Sequence, residues 1–354
     1  MRRVAPLFVL ALLLGGCALT RTYYGEPLPT DAEILVAHAR DGVDLPVIHY
    51  APRGARKGPP IVLCHGISAN ARHMDLDAEH SLARWFAARG YETFAMSLRN
   101  TYDQVLPEGA HLGDEAQTTF DTYVEQDLPA VLDLVHQRTG ATEVDYIGHS
   151  MGGMILYAYL ARGGTGIRAA ATLGSPVRLR TGSRIDPFIR NDATGWLKHV
   201  DSIPNATLAA LIVPASGNIE TPVEKLVVNL DDVEVRTWQK LVVMGTADLA
   251  GGVLRQLTRD IVDDKFESAD GKIDYLAGLS KVRVPMLVVA GKADHIALAG
   301  AVKPAYEVLG GPKRFFIAGV ETGFRHDYGH CDLTIGERAG DELWPVIQGW
   351  FEEH

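Results

Sequence analysis

Asp145-Tyr146-Ile147-Gly148-His149-Ser150-Met151-Gly152-Gly153 is the stretch from which the fold of this 354-residue chain is read. Val144 to Ile147 is a short strand-forming run, and Met151, Ile155, Tyr159 and Leu160 then recur at helical spacing. Between them lies Gly-x-Ser-x-Gly, the pattern of a sharp strand-to-helix turn that lifts a serine hydroxyl into the open. A hydroxyl is a weak nucleophile, so an enzyme that uses one must leave room for a base on one side and substrate on the other. Gly148 and Gly152 remove side chains that would collide in such a turn. The helix that follows directs its free N–H groups toward the place where an oxyanion would form. A glycine-rich turn also occurs for purely structural reasons, so the motif draws its weight from the strand before it and the helix after it.

Working outward, the same alternation continues on both sides. Upstream, Glu33–Ala39 and Val43–Tyr50 flank Arg40-Asp41-Gly42 and predict a hairpin with an Asp-Gly turn. Ile61 to Cys64 is continuously apolar, as expected of a strand buried on both faces of a parallel sheet. A helix is predicted over Asp75–Arg89, stopping at Gly90, then a strand over Tyr91–Ala95 and a long polar loop over Arg99–Thr119. A second helix is predicted over Tyr123–Arg138, its regular part starting near Asp127 because Pro129 is tolerated only in a first turn. Downstream come strands over Arg168–Leu173, Val284–Ala290 and Arg314–Ala318, a helix over Ala299–Leu309 and a closing helix over Glu337–Phe351. Strands alternating with helices specify an α/β fold with a mostly parallel sheet.

The alternation fails between Pro176 and about Leu279. Scattered prolines, apolar runs at Leu208–Val213, Leu226–Leu230 and Leu241–Met244, and Trp196 and Trp238 suggest a mainly helical cap inserted over the end of the sheet where ligands bind. Most of those apolar residues are accounted for if the cap simply packs its own core. The expected organisation is therefore core over 31–175, cap over 176–280, and core again over 281–354.

Two further loops follow strands and carry chemistry. His65-Gly66-Ile67 ends the buried strand at Cys64, and Gly291-Lys292-Ala293-Asp294 places a carboxylate directly after another strand. The loop after the last strand carries His326 and His330. Ser150, Asp294 and His330, in that chain order, fit a nucleophile, an orienting acid and a base. Asp248, in Gly245-Thr246-Ala247-Asp248, is a competing acid, but it lies within the cap; His326 is a competing base, but it lies farther from the closing helix. His149 and His295 read as spacers beside these positions. His326 and His330 with Asp327 could be imagined as metal ligands, but no matching partner for a zinc site is evident, and neither metal nor cofactor is expected.

With these residues assembled, the chain resembles the α/β-hydrolases, nearest the gastric and lysosomal acid lipase group. The resemblance rests on His65-Gly66-Ile67, Asp127-Leu128-Pro129-Ala130, Gly148-His149-Ser150, Gly291 to Asp294, and Tyr328-Gly329-His330-Cys331-Asp332. The last block is also similar to polyhydroxyalkanoate synthases and depolymerases, although a synthase-type enzyme would carry cysteine where Ser150 stands. Met151 departs from the glutamine usual after the nucleophile in acid lipases. The resemblance implies an α/β-hydrolase fold, an oxyanion hole made by the backbone amides of Ile67 and Met151, and hydrolysis of apolar acyl esters through an acyl-enzyme. His65, Gly66, Gly148 and Gly152 would support the elbow and the oxyanion loop. Other readings are an inactive hydrolase fold that serves in binding or assembly, and an acyltransferase or thioesterase.

The N-terminus points to export. Met1-Arg2-Arg3 precedes the apolar run Val4–Leu14, which is shorter than the about 20 residues needed to span a bilayer and has the flanks of a secretory signal. Leu14-Gly15-Gly16-Cys17 resembles a bacterial lipobox, which implies cleavage before Cys17 and lipidation of its thiol; in an ordinary signal peptide Cys17 would be incidental. Ala18 after the cysteine suggests the outer membrane in a diderm bacterium. Residues 18–30 read as a short tether. The expected location is the cell envelope, with a lipid anchor in the membrane and a lipid or small-molecule ester as substrate. A formal net charge of -10, with no basic cluster, argues against nucleic acid as a partner. Cys64 and Cys331 could pair, but each sits beside a candidate site residue, where a small buried thiol is the simpler explanation.

Overall fold

The computed structural model describes residues 19–101, 106, 109–179, 199–219, 221 and 224–354. Cys17, the apolar leader and Trp196 lie outside them. No helix among the described residues is long and apolar enough to cross a membrane.

Eight strands form one sheet: β1 (Glu33–His38), β2 (Asp44–Tyr50), β3 (Ile61–Cys64), β4 (Thr93–Met96), β5 (Val144–His149), β6 (Ile167–Leu173), β7 (Met286–Gly291) and β8 (Lys313–Ala318). Their spatial order is β1-β2-β4-β3-β5-β6-β7-β8. Only β2 runs against its neighbours; β4 through β8 pair in parallel. The strand carrying Ser150 is thus central, and its flanks are sealed: β3 and β5 are buried along their whole length, as continuous apolar runs require. The hairpin turns as expected, with Gly42 at φ 87° closing β1 onto β2.

The helices differ from the sequence reading in instructive places. The helix expected from Asp75 begins only at Leu82 and ends at Ala87, because the Ser81 side chain caps it and the residues before are spent on a polar knot. There Asp75 accepts from the Tyr50 hydroxyl (2.7 Å), the Ser81 hydroxyl (2.7 Å) and Arg84 Nε (2.7 Å). The second helix is regular from Leu128 to Thr139, after one π-helical turn over Tyr123–Asp127 in which the Leu128 amide reaches back to the Tyr123 carbonyl. Pro129 has no N–H to continue the preceding ladder, so the turn widens at that point. The closing helix is split into Ala339–Glu342 and Trp344–Glu353, the break falling where Pro345 withholds its N–H.

Residues 19–24 form a helix where a solvated tether was expected. The Arg236 guanidinium lies over both the Tyr23 and Tyr24 rings, 5.1 and 4.8 Å from their centroids, and Lys240 pairs with Glu26 at 3.0 Å. These contacts tether one side of the segment to the inserted region, while Leu19 and Tyr23 stay largely exposed.

Between β6 and β7 the described residues are mainly helical: α1 (Asn205–Ile212), α2 (Glu224–Val227), α3 (Val235–Met244), α4 (Gly251–Asp263) and α5 (Tyr275–Gly278), with a two-residue strand pair at Ser202–Ile203 and Leu249–Ala250. Val213, Val233, Leu241 and Val243 form a cap core of their own, joined by Leu76 and Ile335 from the main body. Cys64 and Cys331 are both buried and unpaired.

Candidate active site

Ser150 sits at φ 53°, ψ -121°, a backbone setting that a side-chain-bearing residue rarely adopts. Its amide donates to the Leu173 carbonyl (2.8 Å), which ties the turn to β6. A Cβ on Gly148 would lie 2.5 Å from the Gly153 nitrogen, and one on Gly152 would lie 2.3 Å from the Cys64 carbonyl oxygen. Both positions therefore exclude any side chain, which is the reason this turn is spelled with glycine. The result is a hydroxyl at the start of the helix Met151–Ala161, above the sheet.

Asp294 and His330 arrive from the loops after β7 and β8, the next strands beyond β6. The His330 Nδ1–H donates to Asp294 Oδ2 at 2.7 Å, and the Ser150 hydroxyl donates to His330 Nε2 at 2.9 Å. A carboxylate can only accept, so the proton belongs on Nδ1 and the lone pair on Nε2 faces the serine. The other carboxylate oxygen, Oδ1, accepts from the amides of Ile296 (2.9 Å) and Ala297 (2.7 Å), which fixes its plane. All three side chains are buried. The structure thus brings Ser150, Asp294 and His330 together. Asp248 lies apart from this group; its Oδ1 accepts from the Ala206 amide within the cap. His326 lines a separate polar hollow with Asp231, Asp232 and Glu337.

The loop over His65–Asn70 is held from below and above. Below, the Leu98 amide donates to His65 Nε2 (3.1 Å), so His65 Nδ1–H donates to the Gly66 carbonyl (2.8 Å) and locks the loop's first turn. Burial pushes the His65 imidazole down to about 4, which keeps it in this neutral form. Above, the Ser68 hydroxyl donates to the Ala247 carbonyl (2.8 Å) and Asn70 Nδ2 to the Met244 carbonyl (2.9 Å), fastening the loop to the cap. Gly66 packs directly on the serine: a Cβ there would lie 3.0 Å from Ser150 Cβ. Among the described residues, neither the Ile67 nor the Met151 amide donates a hydrogen bond to another protein group.

Sequence reasoning missed the bracing of His330. His149 was read as a spacer, yet its Nε2–H donates to the His330 carbonyl at 2.9 Å, and its ring lies between those of His73 and His330, 4.8 and 4.7 Å away. His73 Nε2–H donates to Thr334 Oγ (2.8 Å), whose hydroxyl donates to the Cys331 carbonyl (2.8 Å). Burial, reinforced by the neighbouring histidines, holds His149 well below the usual imidazole range and His73 at about 3. Both therefore stay neutral and act as fixed dipoles. Asp332 accepts from the Gly329 amide (2.7 Å) and from the Asn229 amide of the cap (3.1 Å). Nothing in spacing or periodicity marks His73, Thr334 or Asn229, because they meet the loop only through the tertiary fold.

Ser150 and His330 open on a cavity of about 270 Å³ whose walls include Ile67, Val227, Trp238, Leu241, Val242 and Ile296. Trp238 is pinned in that wall, its Nε1–H lying 3.0 Å from both the Ser216 hydroxyl and the Glu224 carboxylate. A larger hollow of about 540 Å³, lined by Asp41, Arg99, Asp121, Glu125 and Arg162 among others, contains no part of the serine site. Size alone would select that hollow; the chemistry selects the smaller one.

A family model described as the alpha/beta hydrolase fold matches residues 59–309. Among curated proteins, the chain is 22% identical over 328 residues to a poly(3-hydroxyalkanoate) polymerase subunit of Haloferax mediterranei, covering 87% of this chain and 62% of that one. The corresponding Rhizobium meliloti protein is 25% identical, covering 83% of this chain and 51% of its own length. The chain thus spans about half to three-fifths of these relatives. Mouse gastric triacylglycerol lipase is 30% identical over 142 residues, 37% of this chain and 34% of the lipase. The lipase likeness therefore covers about a third of the chain, and the likeness that covers most of it is to the polymerases. Among solved structures, an esterase from Exiguobacterium antarcticum superposes with a TM-score of 0.56 at 16% identity, covering 90% of this chain and 98% of that one.

Proposed function

The chain belongs to the alpha/beta hydrolase fold family, and from that premise we propose that it is a serine hydrolase of carboxylic esters with apolar acyl groups. The observation that carries this reading is the linked series Ser150–His330–Asp294, at 2.9 and 2.7 Å. His330 Nε2 takes the hydroxyl proton as Ser150 Oγ bonds to the ester carbonyl carbon, and Asp294 stabilises the imidazolium so formed. The carbonyl oxygen becomes an oxyanion beside the amides of Ile67 and Met151, which have no competing partner among the described residues. When the intermediate collapses, the bond to the alcohol breaks and the alcohol leaves with the proton from His330. Water then repeats the sequence on the acyl-enzyme and releases the acid. A cavity of 270 Å³ lies just below the about 300–1,000 Å³ of ordinary ligand pockets, which suits a short or medium acyl chain.

The test is p-nitrophenyl ester turnover and fluorophosphonate labelling of wild type and Ser150→Ala. Labelling of wild type, with a loss of turnover in the variant of about 10⁴-fold or more, is expected. Full turnover or labelling in the variant refutes the serine mechanism, and an unlabelled, inactive wild type supports a hydrolase fold that serves only in binding or assembly.

A second reading keeps the acyl-enzyme and changes its acceptor. The polymerase relatives that cover most of the chain favour it; a serine at the elbow, where synthase-type enzymes carry cysteine, weighs against it. Partition of a preformed acyl-enzyme between water and an added hydroxyacyl alcohol separates the two. The leader ending in Leu14-Gly15-Gly16-Cys17 supports an envelope-facing, lipid-anchored protein. Loss of membrane-associated protein on Cys17→Ser is the expected result.

A further inference from the structure

We infer that the outer face of the cap around α1 is a docking surface for an uncharged lipid bilayer. This rests on the envelope and ester readings above. From Ser202 to Ile219 the sequence contains no charged residue, in a chain with 78 charged residues overall. Within that stretch Leu208, Leu211, Ile212 and Ile219 are 50%, 43%, 60% and 66% exposed. Helix α1 turns Ala209 and Ala210 inward, Ala209 and the C-cap Val213 joining the cap core that also holds Trp238, Leu241 and Val242, and the large apolar side chains of the helix are left outside. This inverts the usual arrangement of a surface helix, whose outer face is polar. Scattered single apolar residues on a surface need no explanation; here four fall on one charge-free segment.

Two features select a bilayer as the occupant. The first is where the leader joins the fold. Residues 19–24 lie along α3 through the Arg236 contacts with Tyr23 and Tyr24, and α1 packs on the same helix. Leu19 and Tyr23 are themselves 72% and 70% exposed. The described chain therefore begins, two residues after the proposed lipidation site at Cys17, on α3, the helix against which α1 packs. The second is area. A fully buried Leu or Ile side chain removes roughly 60–120 Å² of apolar surface, so four that are 43–66% exposed offer on the order of 200 Å². A stable protein partner needs about 800 Å² per side, four times as much, whereas an interfacial helix adds to an anchor that already holds the protein near the lipid. The lack of charge fits neutral headgroups and predicts that docking is indifferent to salt.

Docking by this face would set the cavity wall formed by Trp238, Leu241 and Val242 close beneath the lipid surface. The site would then draw its esters from the membrane.

The experiment uses the full chain in phosphatidylcholine vesicles. In Ile212→Trp, fluorescence quenching by brominated phosphatidylcholine should exceed that of the wild type by twofold or more, equally at 0.05 and 0.5 M NaCl. This readout needs no catalysis, so it stands or falls apart from the hydrolase reading. In parallel, Leu208→Ser/Leu211→Ser/Ile212→Ser should lower hydrolysis of an ester dissolved in the vesicles at least tenfold. Its kcat/KM on soluble p-nitrophenyl butyrate should stay within twofold of wild type. Unchanged quenching in Ile212→Trp overturns the inference, as does docking that salt abolishes. A wild-type dimer in gel filtration that the triple variant breaks also overturns it, by assigning the face to a second copy. If the wild type hydrolyses neither ester while quenching is enhanced, docking stands and the hydrolase reading falls.

Discussion

Replacing Asp294 with asparagine tests the base more sharply than removing the serine does, because the replacement has nearly the same shape. Asp294 Oδ1 accepts from two backbone amides and Oδ2 accepts from His330 Nδ1. An asparagine has one acceptor oxygen for these two positions. If its oxygen stays with the Ile296 and Ala297 amides, its NH₂ group faces His330 and donates to Nδ1. The imidazole proton must then move to Nε2, which lies 2.9 Å from Ser150 Oγ and can no longer accept the hydroxyl proton. The opposite orientation sets the NH₂ group against two N–H donors at 2.7–2.9 Å, and it is disfavoured. A base held in the wrong tautomer lowers kcat about 10⁴-fold, or about 5.5 kcal/mol at about 1.4 kcal/mol per factor of ten. The substrate cavity does not include Asp294, so KM should stay within about threefold. The assay is steady-state p-nitrophenyl butyrate hydrolysis, with Ser150→Ala as the floor and circular dichroism to verify folding. A folded Asp294→Asn protein within tenfold of wild-type kcat would refute the assignment of Asp294, and a collapse of KM with kcat preserved would refute the geometry proposed for its role.

Trp238→Ala should open the wall of the cavity and move the preferred p-nitrophenyl ester toward longer acyl chains by two or more carbons, at a stability cost of about 3–5 kcal/mol; an unchanged chain-length optimum would show that another residue sets the limit. Glu224, which is buried, carries a pH prediction. Burial raises its pKa, but hydrogen bonds from the Ser216 hydroxyl (2.6 Å), the amides of Thr221 (2.8 Å) and Gly217 (2.6 Å), and Trp238 Nε1 (3.0 Å) outweigh burial and leave it at about 2. A folded-state pKa held below the ordinary value stabilises the fold at pH 5 and above, and that contribution, on the order of 3 kcal/mol, is lost as pH falls toward 2. Urea unfolding followed by tryptophan fluorescence should therefore show a steeper loss of stability between pH 5 and 3 for wild type than for Glu224→Gln; parallel slopes would refute the linkage.

The sheet was legible because burial on both faces forces continuous apolar strands, and because the elbow tolerates only glycine at 148 and 152. The expected strands appear within three residues at each boundary. The three positions that meet at Ser150, Asp294 and His330 were legible for a related reason: each lies in the loop just after a strand, so chain order alone gave their neighbourhood. The helices misread are those whose ends are set by side-chain caps and proline, as at Ser81 and Pro345. What sequence could not show are contacts made across distant segments. His73 meets the base loop through Thr334, and Asn229 meets it through Asp332. The docked segment at residues 19–24 belongs to the same class, since its composition reads as solvated until Arg236 is placed over Tyr23 and Tyr24.

One of those distant contacts bears on how such a protein can diversify. The Cys331 amide donates to the Val227 carbonyl (2.8 Å), and Asn229 Nδ2 donates to the Asp327 carbonyl (2.8 Å), so a few residues of the insertion are spliced into the histidine-bearing loop. An inserted lobe of this kind is ordinarily treated as an interchangeable module that can be traded between homologues to retune selectivity. Here such a graft would disturb the His330 imidazole itself unless the donor lobe brought the same two backbone-directed ties, which constrains both natural recombination and chimera design.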